Sequence, residues 1–129
     1  MGKSIQIIPG IPHNDVPKFL AECDILVVPR LKNRVTRLGF PSKLLEYMAM
    51  GKTVVVSAVG GMDTMVKDGE SGRVYIPGDE AGLIRVLLEL RDPVLRKRLG
   101  KGARETVQKR FNWDTEMEKF TGLLQRVAP

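Results

Sequence analysis

Cysteine is almost absent from this chain. Cys23 stands alone among 129 residues, which excludes an internal disulfide framework and any cysteine-rich zinc site. Histidine is equally scarce: His13 sits beside Asn14 and Asp15 at a predicted helix start, with no nucleophile or metal partner in view, so a capping or solvent role is expected of it rather than catalysis. Aromatic side chains make up 5% of the residues and do not interleave with the basic ones, which argues against base stacking and so against a nucleic-acid partner. No apolar run is long enough to span a membrane, and no cleavable signal pattern, internal repeat, low-complexity tract or linker is visible; a cytoplasmic location is the expectation.

What is present describes one globular domain. An apolar content of 43% with 28% charged residues is ordinary for a chain that builds a core, and 129 residues leave no room for a two-domain enzyme. Cys23, in a helical pattern beside Leu20 and Ala21, is expected to be a buried structural thiol. The net charge is +6, and the basic residues concentrate in RDPVLRKRLGKGARETVQKR, Arg91 to Arg110, where Val94, Leu95, Leu99, Ala103 and Val107 mark an inner helix face. A solvated face is the preferred reading; an anionic membrane surface, with peripheral attachment, stays open as a partner.

Ser4 to Ile8 is expected as a short strand stopped by Pro9 and Gly10. In HNDVPKFLAECD, Asn14 or Asp15 can cap a helix whose apolar side is Val16, Phe19, Leu20 and Cys23. DILVVP, from Asp24, is a continuous apolar run of strand length, the pattern of a strand covered on both faces. A loop rich in Arg and Lys follows, then a helix from about Ser42 to Met50 with Gly51 as its stop, then a second buried strand, TVVVSA. GGMDTMVKDG reads as a glycine turn and short helix that Asp63 can cap, and GRVYIPG as a fourth strand. Asp79 can cap the next helix, Asp92 and Pro93 start another, and Trp113, Met117, Phe120, Leu124 and Val127 form an apolar stripe on the last. Met48, Met50, Met62 and Met65 are expected in the core. About four strands alternating with helices predict an α/β fold, a Rossmann-like parallel sheet with flanking helices.

In such sheets ligands bind beyond the carboxyl ends of the strands, which places Pro29 to Pro41 and Ala58 to Met62 on the binding edge. The start of the Ser42 helix offers unpaired amides and the positive end of a helix dipole, Gly39 permits close backbone approach, and Lys43 adds a mobile cation; a nucleoside diphosphate suits this end. Arg30, Lys32, Arg34 and Arg37 lie on the same edge, where they either meet phosphate or an anionic lipid acceptor or remain solvated. Glu46 is out of register for a capping box, since Ser42 plus three is Leu45. With Leu44, Leu45 and Met48 inward, its carboxylate points aside; a ligand diol and a surface pair with Lys43 are equally good partners on this physics.

GFPSKLLEYMAMGKTVVVSAVGG resembles the nucleotide-sugar donor motif of family 4 retaining glycosyltransferases, which have the two-domain GT-B fold. The likeness continues in order through PGIPHNDVPKFLAECDILVVPR, VKDGESGRVYIPGDEAGLIRVLLEL and RKRLGKGARETVQKRFNW, nearly the whole chain. It implies a hexosyl-type transferase with a nucleotide diphosphate sugar as donor, no cofactor and no metal, the leaving diphosphate being stabilised by protein groups. By position, it assigns Glu46 to the donor ribose, the segment Gly39, Phe40, Pro41, Ser42, Lys43 and Leu44 to the diphosphate and sugar, and Gly60 and Gly61 to the same pocket. Catalytic residues are not assigned. Many members carry a glutamate eight positions before the second, where this chain has Leu38; a PxKxxE subset matches Pro41 to Glu46 more closely. The family's donor domain begins with further strand and helix units and follows an acceptor-binding domain, so residues 1–129 are expected to be the carboxyl-terminal donor-binding part of a longer GT-B enzyme, inactive alone. The absent amino-terminal domain is then a partner that packs against Trp113 and Phe120. The alternative is a non-enzymatic α/β interaction module that uses its basic helix and apolar last helix.

Overall fold

A computed structural model of the protein describes residues 5–127; residues 1–4, 128 and 129 and the side chain of Trp113 lie outside the described residues. After a 3-10 turn at His13–Asp15, the elements in chain order are α1 (Val16–Ala21), β1 (Ile25–Val28), α2 (Arg34–Leu38), α3 (Ser42–Ala49), β2 (Thr53–Ser57), α4 (Met62–Met65), β3 (Arg73–Tyr75), α5 (Glu80–Glu89), α6 (Pro93–Arg110) and α7 (Trp113–Val127). The strands form one parallel sheet in the order β1-β2-β3, with Ile25 opposite Thr53 and Val55 opposite Arg73. All three carboxyl ends therefore open onto one edge.

β2 is central and its five residues are buried, as its unbroken β-branched run predicts. Val54 and Val56 face a core layer with Leu44, Met48, Met62 and Ala103, while Val55 faces Val86, Leu90 and Leu99 on the other side. β1 departs from expectation. It is an edge strand with Val27 exposed, because the cover on its outer side that the apolar run anticipates is missing among the described residues. GRVYIPG does form a strand, β3, but the expected first strand does not: Ser4 lies outside the described residues, and Ile5 to Ile8 pair with no ladder and are exposed, so the sheet has three strands among the described residues. Exposed as it is, this segment can leave its amides and carbonyls to water instead of a ladder.

Local chemistry explains the helix limits. Asp79 accepts from the Gly82 amide and Asp92 from the Val94 amide, with Pro93 in the first turn, as anticipated. α3 ends in a Schellman motif, in which Gly51 at φ +70° donates to the Met48 carbonyl and Lys52 to that of Tyr47. Two expected caps are not made: neither Asp15 at the start of α1 nor Asp63 in the first turn of α4 caps its helix, and Gly61 at φ +80° holds the N-cap position of α4. Cys23 is half-buried at the margin of the core, beyond the end of α1, rather than fully buried.

α6 lies along the amino edge of the sheet. Thr53 Oγ1, at the start of β2, donates to the Arg96 carbonyl at 2.8 Å, and Gly100 and Gly102 press their backbones against the carbonyls of Gly51 and Glu70, in the segments that enter β2 and β3. Two glycines in a helix interior are unfavourable for the isolated helix; here they permit backbone contact. Val94, expected inward, is exposed, while Leu99 and Ala103 are buried and Lys97, Lys101 and Arg104 face solvent. α7 carries the predicted stripe, and Met117, Phe120, Leu124 and Val127 are all exposed. Among the described residues no helix is long and apolar enough to cross a membrane.

Candidate functional site

The segment after β1 is not a plain basic loop. Asn33 accepts from the Thr36 amide and Thr36 Oγ1 from the Asn33 amide, both at 2.9 Å, a capping box that starts the five-residue α2. An amide side chain three residues before a hydroxyl was the signal for this helix. Leu38 ends α2 almost fully exposed, so the position where many family members carry a glutamate presents an apolar side chain to solvent.

Three connections gather at the carboxyl edge. Ser57, the last residue of β2 and completely buried, accepts from the Arg30 amide at 2.9 Å and donates to the Arg30 carbonyl at 2.8 Å. Arg30 Nη1 in turn donates to the Gly39 carbonyl at 2.7 Å, and the Gly39 amide donates to Val35 at 3.1 Å. Gly60, at φ +62°, lies so close that a Cβ there would meet the Thr36 carbonyl oxygen and would stand 2.6 Å from the Gly39 carbonyl oxygen. Gly39 itself is extended, at φ −102°, and its Cβ would stand 3.4 Å from the Val35 oxygen; its backbone needs no special conformation. Gly60 and Gly61 thus sit on the same edge as Gly39, as expected, with Gly60 in direct contact with the loop.

From this anchored point the chain enters α3 through Phe40 and Pro41. Pro41 is the N-cap and no side chain caps the helix, which leaves its leading end to an outside acceptor. Ser42 and Lys43 are exposed there, whereas Leu44 and Met48 are fully buried and fix the roll of the helix. Positions 42, 46 and 50 then follow one another along one face, about 6 Å of rise apart. Glu46 is exposed, and among the described residues neither Lys43 nor any other cation lies within ion-pair distance of it. It borders a pocket of about 220 Å³ with His13, Val16, Pro17, Leu20 and Met50. His13 makes no side-chain cap at its turn and instead forms part of this wall. Burial first, then the charges of Glu46 and Cys23, raise the neighbouring Tyr47 phenol above its ordinary 10.0. The face thus runs from free helix amides through a carboxylate to a mostly apolar recess.

The sequence pattern of the glycosyl transferases group 1 family matches residues 1–106. The chain belongs to this family. It is 33% identical over 115 residues to the D-inositol 3-phosphate glycosyltransferase of Acidothermus cellulolyticus, a match that covers 89% of this chain and 24% of that protein. Its fold is similar to that of sucrose-phosphate synthase from Thermosynechococcus elongatus, with a TM-score of 0.81 and 29% identity over 98% of this chain and 32% of the other. Anabaena HepE, solved in complex with UDP, shares the fold with a TM-score of 0.69 and 24% identity, over 88% of this chain and 30% of that one. The chain spans about a quarter of the length of the curated relatives it matches. The expected α/β fold, a parallel sheet with flanking helices, is thereby shown and is shared with part of a glycosyltransferase structure, with three strands among the described residues in place of four.

Arg30 and Ser57 were the residues that the sequence did not single out as a pair. They lie 27 positions apart, and the only trace of their link is a hydroxyl ending an otherwise apolar strand run. Lys32, Arg34 and Arg37, by contrast, are exposed on the turn and helix that follow.

Proposed function

We propose that residues 1–129 are the carboxyl-terminal donor-binding part of a longer retaining glycosyltransferase, and that α3 holds a nucleoside diphosphate sugar. The single observation that carries this reading is the sequence of chemistries along one face of α3: an amino end with no side-chain cap, a carboxylate one turn later that pairs with no cation among the described residues, and a recess beyond it. The diphosphate sits at the amides of Ser42 and Lys43 and the Lys43 ammonium, where helix dipole and cation both favour negative charge. Glu46 accepts two hydrogen bonds from the ribose hydroxyls, and the base enters the recess beside His13 and Leu20. The UDP complex of the HepE relative supports a uridine diphosphate as the first ligand to try.

In the transfer step, the bond between the sugar and the diphosphate oxygen breaks and negative charge grows on the leaving phosphate. Helix amides already aimed at that position stabilise it without reorganising. The anomeric carbon of the sugar bonds to a nucleophilic oxygen of an acceptor held by the rest of the enzyme, and that oxygen gives up its proton as the diphosphate leaves. Leu38 gives no carboxylate to the sugar, so sugar recognition falls to the Gly39 to Leu44 backbone and to groups outside this chain.

Titration of the chain with UDP, GDP and ADP, followed by amide NMR, tests the reading. Shifts are expected at Gly39 to Glu46 and along α1. A carboxylate accepting hydrogen bonds contributes about 1.5–3 kcal/mol, so Glu46→Ala weakens binding about 10- to 100-fold; unchanged affinity removes Glu46 from the ribose.

A further inference from the structure

We propose that Arg30 is the positioning residue of the donor loop: it fixes the Gly39 carbonyl, and through it the course of the chain into the amino end of α3. This rests on the donor-site reading for its effect on ligand, but not for the clasp itself. Arg30 is held from behind, since the buried Ser57 hydroxyl bridges its own amide and carbonyl. Its guanidinium then reaches nine residues forward to Gly39.

Arg30 also borders a cleft of about 140 Å³ with Tyr75, Asp79 and Glu80, yet among the described residues it forms no ion pair with either acid. Asp79 is engaged in capping α5. A half-buried guanidinium bonded to a carbonyl at 2.7 Å holds that carbonyl firmly, because a charge-assisted hydrogen bond is stronger than a neutral one. The second wall of the clasp is Gly60, whose backbone closes on Thr36 and Gly39 from the side of β2. Between Gly39 and the first amides of α3 only Phe40 and Pro41 intervene. A fixed Gly39 therefore means preorganised Ser42 and Lys43 amides, and a site that is already ordered loses less freedom on binding.

The test uses Arg30→Ala, Arg30→Lys and Ser57→Ala in the 129-residue chain, with amide exchange in the free protein and UDP and pyrophosphate affinities as separate readouts. Arg30→Ala is expected to speed Gly39 amide exchange at least tenfold while Val54 to Val56 exchange at the wild-type rate, and to weaken UDP and pyrophosphate alike by about tenfold. Arg30→Lys restores part of both effects, and Ser57→Ala, which keeps the guanidinium but frees its base, reproduces both. Unchanged Gly39 exchange in Arg30→Ala overturns the proposal, and a loss of affinity without it assigns Arg30 to direct phosphate contact instead. If the wild-type chain binds neither UDP nor pyrophosphate, the donor reading fails, while Gly39 exchange still decides the clasp.

Discussion

Gly60 and Gly61 look interchangeable in the sequence, and both adopt the left-handed conformation, at φ +62° and +80°. Their surroundings differ. A Cβ at Gly61 would approach nothing nearer than Thr64 Oγ1 at 3.8 Å, whereas at Gly60 it would collide with the Thr36 and Gly39 carbonyls, which are backbone and cannot rotate away. Gly61→Ala therefore carries only the left-handed penalty of about 1–2 kcal/mol. Gly60→Ala adds an overpacking cost of about 1–3 kcal/mol, for a total of about 2–5 kcal/mol against a typical domain stability of about 5–15. Urea denaturation of the two variants separates the effects: with m of about 2 kcal/mol/M, Gly60→Ala lowers the midpoint by about 1–2.5 M and Gly61→Ala by about 0.5–1 M. Gly60→Ala also displaces Gly39 and lowers nucleotide affinity more than Gly61→Ala does. Equal midpoints for the two variants would refute the contact between the β2 loop and the donor loop.

Gly100→Ala and Gly102→Ala each improve helix propensity by about 1 kcal/mol, but their Cβ atoms meet the Gly51 and Glu70 carbonyls, so both are expected to lower the denaturation midpoint; stabilisation by either would show that α6 does not rest on the amino edge. The phenols of Tyr47 and Tyr75 are both raised above 10.0, Tyr47 by burial and then by Glu46 and Cys23, Tyr75 by burial that outweighs the Ser57 hydrogen bond. A raised folded-state value favours the neutral phenol, so this contribution is present below pH 10 and is lost as the pH rises through the folded values. Phenolate absorbance should rise later in the folded than in the urea-unfolded chain, and Tyr47→Phe with Tyr75→Phe should flatten the alkaline loss of stability; coincident titrations would contradict the burial of both rings.

Much of the architecture is legible because it is local. The β-branched TVVVS run, the Asp79 and Asp92 caps, the Gly51 stop and the spacing of Leu44 and Met48 are choices made within a few residues, and each matches the observed element. The segment proposed to hold the donor is legible for the same reason: its acid and its helix start lie on one continuous stretch. Elements that need a distant neighbour were read less well. Ile5 to Ile8 has strand composition but no ladder partner, and β1 has the composition of a covered strand but stands at an edge. α2 is short enough that a single capping box decides it, and composition alone had made it a basic loop.

By itself the sequence determined the family and the α/β alternation, since periodicity, caps and an ordered motif are properties of neighbouring residues. Tertiary structure decided that Glu46 pairs with no cation among the described residues and borders the α1 recess, that the Arg30 guanidinium bonds the Gly39 carbonyl, and that Gly60 cannot carry a side chain. Those outcomes depend on how closely segments many residues apart approach one another, and that distance is set only when the sheet brings its carboxyl ends to one edge.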